Sequence, residues 1–106
     1  MNLEQQLLPS NIDIEFIKID YYWHQGKTAF KDAQKSAKKI FTLLKLMNES
    51  FSNKYILRIM SNRLSHLNGM SDWKLKNLLG KDFNWIKEKR IIHQELVAVG
   101  VLKPKE

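Results

Sequence analysis

The chain predicts an all-α fold, about five short helices in one bundle-like domain. Three observations carry this. Apolar residues recur at helical spacing, most cleanly at Phe30, Ala33, Ala37, Ile40, Phe41, Leu44 and Met47. Capping residues or glycines bound most of these runs. The connections are short, and no repeat, low-complexity tract or long linker divides the 106 residues, so one domain is expected over residues 1–106.

Met1 to Leu8 is a polar and leucine lead-in, punctuated by Pro9, Ser10 and Asn11. Asn11 to Gln25 alternates like a strand at Ile12, Ile14 and Phe16, yet Ile12, Phe16, Ile19 and Trp23 also recur at helical spacing. The helix is favoured. Ser10 followed by Asp13 resembles a capping box, Gly26 supplies a C-terminal stop, and Tyr21, Tyr22 and Trp23 extend the apolar face. Lys27 to Asn48 is the next helix, with Thr28 as its expected cap. Glu49 to Asn53 is a polar turn, and Ser52 or Asn53 caps a helix over Lys54 to Leu67. Its inward residues are Ile56, Ile59, Met60, Leu64 and Leu67, and Asn68-Gly69 ends it.

Residues 70–104 then form a distinct pair, supported by the helices of residues 11–67. Ser71 or Asp72 caps Trp73 to Leu79, with Leu75, Leu78 and Leu79 inward. Gly80-Lys81-Asp82 turns the chain, and Asp82 is expected to cap a helix from Phe83 to about Val99, which Gly100 closes. The rings of Trp73 and Trp85 are expected to tie the pair together.

This segment resembles the helix pair of helix-turn-helix and winged-helix DNA-binding domains. Gly80 matches the glycine that opens the turn, Leu75 and Leu79 the inward residues before it, and Ile86 the aliphatic residue that locks the second helix to the first. Leu96, Gly100, Val101 and Leu102 match the closing pattern. Lys76 and Lys89 depart from it, standing where the family carries a small and an aliphatic residue. The resemblance implies a second helix that lies in the DNA major groove, with Lys81, Asn84, Lys87, Glu88 and Arg90 turned outward. Asn and Arg pair with adenine and guanine edges, Lys serves phosphate or guanine, and the helix start offers N–H groups to a phosphate.

Composition agrees with a polyanionic partner. The net charge is +7, from 18 Lys and Arg against 11 Asp and Glu. Lys31, Lys35, Lys38 and Lys45 fall on one side of the long central helix, where Asp32 is the only acid between Lys27 and Met47. This stripe extends the phosphate contacts if it lies beside the second helix of the pair.

Other chemistries find little in the chain. It has no cysteine, which removes disulfides, thiolate metal sites and a cysteine nucleophile. His24, His66 and His93 stand apart from any recognisable metal motif, and the four glycines are isolated. No enzyme activity and no cofactor are expected. Nothing reads as a signal peptide or a membrane span, so the cytoplasm is the expected compartment. The leading expectation is a small DNA-binding protein, a regulator or a plasmid- or phage-type accessory factor. Because one short helix reads few bases, a homodimer through the N-terminal helices is expected with it. The alternative is a helical interaction module that inhibits or adapts a larger protein, through its basic face or through Tyr21 to Trp23.

Overall fold

The computed structural model describes residues 10–68, 72–100 and 102–104. Among them the backbone forms five α-helices and no strand: α1 (Ser10–His24), α2 (Phe30–Met47), α3 (Asn53–Asn68), α4 (Asp72–Leu79) and α5 (Trp85–Ala98). A 3₁₀ turn over Gly26–Ala29 joins α1 to α2. The fold is all-α, as the apolar spacing predicts. The caps expected from Ser10, Ser71 and Asp72, the Gly69 stop, and the side chains of His66, Leu67, Trp73 and Val101 lie outside the described positions.

The centre of the fold is α2, against which each of the other four helices packs. The reason lies in its sequence, since apolar residues occupy more than one side. Ala33, Ala37, Ile40 and Leu44 are fully covered, and Phe41, Thr42 and Leu43 extend the buried surface round the helix. The other helices each contribute one apolar stripe: Ile12, Phe16 and Ile19 from α1, Ile56, Ile59, Met60 and Leu64 from α3, Leu75, Leu78 and Leu79 from α4, and Ile92 and Leu96 from α5. Each such side chain, fully buried, contributes roughly 1.5–3 kcal/mol of transfer free energy. The expected α2 stripe is shorter than its spacing implies, because Phe30 and Met47 at its two ends are exposed.

Local boundaries follow hydrogen bonding. Ser52 caps α3, its hydroxyl accepting from the Tyr55 N–H at 3.1 Å. Thr28 does not cap α2; its hydroxyl instead donates to the Gln25 carbonyl, and the 3₁₀ turn leads into α2 through Ala29 without a side-chain cap. Gly80 takes φ of +81°, a left-handed angle that only glycine adopts freely, and its N–H closes α4 on the Lys76 carbonyl at 2.9 Å. Gly100 repeats that angle at the end of α5, its N–H bonded to the Val97 carbonyl and the Leu102 N–H returning to Leu96.

The start of α5 differs from the expectation. Asn84, not Asp82, is its cap: Asn84 is extended, and its side-chain oxygen accepts from the N–H groups of Ile86 at 3.0 Å and Lys87 at 3.3 Å. Phe83 stays outside the helix and packs edge-on against Phe41, ring centres 4.8 Å apart. A helix, a glycine turn and a second helix are therefore present. Among the described residues, however, α4 and α5 lie against α2 rather than against each other.

Candidate nucleic-acid interface

Among the described residues α2 is the only helix that α5 packs against, so α5 stands at the edge of the molecule with one long side open. Ile92 and Leu96, four residues apart, form the anchored side, and the half-buried Trp85 ring joins them. Helical geometry then places Ile86, Lys87, Arg90, Gln94 and Val97 on the opposite side. They line an open groove of about 730 Å³, together with His93, Asn84 and Pro104.

Lys87, Arg90 and Gln94 are exposed. The carboxylates of α5 lie on its flank toward the body: Glu88 is half-buried, and Glu95 reaches Lys39 at 4.0 Å. Among the described residues the groove side of α5 therefore carries cations and amides without a carboxylate. Lys81, in the turn before the helix, is exposed as well.

The lysine stripe of α2 is divided: Lys45 lies beneath α5, while Lys31 and Lys35 are exposed. The two helices run antiparallel, since the Lys45 ammonium sits 5.6 Å from the Trp85 ring centre at one end and Lys39 meets Glu95 near the other. Lys45 is buried. Its ammonium donates to the Phe51 carbonyl and to Asn53 Oδ1 at 3.1 Å, joining the end of α2 to the start of α3. It is removed from any basic surface. Lys38 is half-buried. Lys31 and Lys35 remain exposed, and Lys35 lies in a shallow groove with Ala98 and Val99 at the C-terminal end of α5. Cations there suit the negative end of the helix dipole.

The expected site residues thus separate into two groups. The fold brings Lys87 and Arg90 onto one open face, with Lys81 and Asn84 at its leading end and Lys31 and Lys35 exposed on α2. It withdraws Lys45 and turns Glu88 to the flank. Asn84 is exposed, but its side-chain oxygen already serves the N–H groups of Ile86 and Lys87, so a phosphate at the helix start competes with the helix's own cap. Ile86 does not lock α5 to α4; it is 69% exposed. Gln94 belongs to the open face and was missed, although its spacing of four from Arg90 and seven from Lys87 is a visible signal. Lys89 also borders the groove, but its ammonium is ion-paired to Glu49 and stacked 5.1 Å from the Trp85 ring centre.

Other clusters hold less. Among the described residues no three His, Asp or Glu side chains gather as metal ligands, and no helix is long and apolar enough to cross a membrane. His24 pairs with Asp20 one helical turn back, at 3.5 Å. Tyr22 and Trp23 pack against the core, while Tyr21 is exposed.

The chain matches no protein-family model, no curated protein and no solved structure.

Proposed function

We propose that this protein binds duplex DNA by laying the open face of α5 in the major groove. The observation that carries the reading is the division of α5. One side is anchored by Ile92 and Leu96, and the opposite side shows Lys87, Arg90 and Gln94 with no carboxylate among them. A helix of 14 residues is about 21 Å long, and the major groove accepts a helix lengthwise. Arg90 reads guanine, Gln94 reads adenine, and exposed Ile86 meets a thymine methyl. Lys87 and Lys81 bind phosphates, and the net charge of +7 drives the approach. The role is that of a small regulator or accessory factor, in keeping with the helix-turn-helix resemblance of residues 70–104.

Titration of random duplex DNA, followed by fluorescence anisotropy at several salt concentrations, tests this. Binding is expected to weaken steeply with salt. Replacing Lys87 and Lys81 together by Ala lowers the salt slope by about 2, since each phosphate contact contributes about one unit. Replacing Gln94 by Ala leaves that slope alone and relaxes base preference at one position. Failure to bind at low salt, or a slope indifferent to Lys81 and Lys87, removes DNA as the partner.

A second reading rests on one observation. Ile86 and Val97 line the same groove as Lys87 and Arg90. That combination also suits an acidic, amphipathic segment of another protein, lying with its apolar side on Ile86. Under that reading Ile86→Ser weakens partner binding more than Lys87→Ala does, whereas DNA binding ranks the two in the opposite order.

A further inference from the structure

The helix α1 has two apolar sides, and the core uses one of them. Ile12, Phe16 and Ile19 face inward and are fully covered. Ile14, Ile17 and Tyr21 are 51%, 61% and 61% exposed. Their spacing of three and then four is the seam spacing of a coiled coil, in which Ile14 and Tyr21 take the a position and Ile17 the d position. Ile19 then falls opposite the seam, where the core holds it. A row of large apolar side chains on the solvent side of a helix marks an interaction surface.

The charges beside the row select its occupant. In heptad terms Asp13 is a g residue and Lys18 an e residue, flanking the seam on its two sides; within one chain the half-exposed Lys18 ammonium also lies 3.2 Å from Glu15 Oε1, a carboxylate it shares with Lys39. When two copies of α1 lie parallel and in register, the g residue of one faces the e residue five positions on in the other. Asp13 of each copy then meets Lys18 of its neighbour, twice by symmetry. An antiparallel arrangement sets either Lys18 against Lys18 and Asp20 against Asp20, or Asp13 against Asp20 twice, and like charges oppose both registers.

We propose that α1 is a self-association surface: two copies of this chain pair through Ile14, Ile17 and Tyr21, parallel and in register, with Asp13 and Lys18 exchanged between them. The proposal is independent of what α5 binds. The seam is short, under the ~800 Å² per partner that a stable interface buries, so the pair is weak and forms at high protein concentration.

Sedimentation equilibrium of the full chain without nucleic acid tests it. The mass is expected to rise from the 12.6 kDa of one chain toward twice that value between low-micromolar and near-millimolar concentrations. Ile17→Glu stays at one chain throughout, with unchanged helical circular dichroism, because Ile17 is outside the core. Lys18→Glu weakens the pair at low salt. Adding Asp13→Lys to Lys18→Glu restores it, a rescue that only the parallel exchange predicts. A single-chain mass at every concentration overturns the proposal and leaves the stripe to another protein or to residues 1–9. Self-association indifferent to Ile17→Glu overturns it too, since the copies then meet elsewhere. Absence of rescue by the charge swap overturns the parallel register.

Discussion

Lysines mean different things on α2 and α5. On α2, Lys39 stands between Glu15 at 3.5 Å and Glu95 at 4.0 Å, and Lys45 is drawn inside to two oxygens and a tryptophan face. On α5, Lys87 stays exposed in an open groove, as does Arg90. The residue type is the same, and both stretches read as basic helix in the sequence. What differs is how many sides of the helix are covered. Four helices pack on α2, so Lys39 and Lys45 meet a carboxylate or a carbonyl beneath those neighbours, while Lys31 and Lys35 toward its start stay exposed. Only α2 covers α5 among the described residues, so a cation on its far side has water or a ligand as its partner. Charge counted along the chain overstates the basic surface wherever a helix is central.

The largest expected effect that tests this contrast is at Lys45. Lys45→Met keeps an unbranched apolar stem but leaves the Phe51 carbonyl and Asn53 without their donor. An unsatisfied polar group at a partly buried site costs about 1–3 kcal/mol. Urea denaturation followed by circular dichroism should show a loss in that range. Lys87→Met should leave the midpoint almost unchanged, since surface substitutions away from such features stay within about 0.5 kcal/mol. Equal effects at the two positions would erase the distinction between the helices.

The same contrast explains how much of the molecule was legible beforehand. Helix number and order followed from apolar spacing, because a 3.6-residue period imposes one face whatever it packs against. Gly80 and Gly100 were legible as stops, since both adopt an angle that side chains resist. Single positions on a helix were less so. Ile86 fits an inward pattern, yet α5 is rotated so that Ile92 and Leu96 meet α2 and Ile86 faces away. Lys45 lies in line with Lys31, Lys35 and Lys38, and nothing local says that Trp85, forty residues on, will cover it. The site depends on which helices touch, and that information lies in pairings between distant segments rather than in any one of them.

A smaller effect is expected at Asn84. Asn84→Ala removes the oxygen that holds the N–H groups of Ile86 and Lys87, and losing such a cap costs about 1 kcal/mol. Asn84→Asp or Asn84→Ser should restore most of it, because either side chain accepts the same bonds. A DNA-binding assay sharpens the result. Asn84→Ser keeps the cap but lacks the paired donor and acceptor that read adenine, so preserved stability with altered base preference marks the amide as a contact. Preserved stability with unchanged preference assigns Asn84 to capping alone.

The smallest effect on stability is expected at Ile86, and it separates the two sides of one helix. Ile86 and Ile92 are the same residue on α5, 69% and 4% exposed. Ile86→Ser removes little buried surface and should shift the unfolding midpoint by less than about 0.5 kcal/mol. Ile92→Ser, which puts a hydroxyl among α2 side chains, should cost several times more. A loss above about 1 kcal/mol at Ile86 would mean that this side of α5 is packed in solution, closing the face on which Lys87, Arg90 and Gln94 depend. A neutral Ile86→Ser leaves that face open, and its binding phenotype then bears on the ligand alone. An isoleucine this exposed contributes little to folding, so a change in binding at Ile86→Ser without a change in stability is a change at the surface itself.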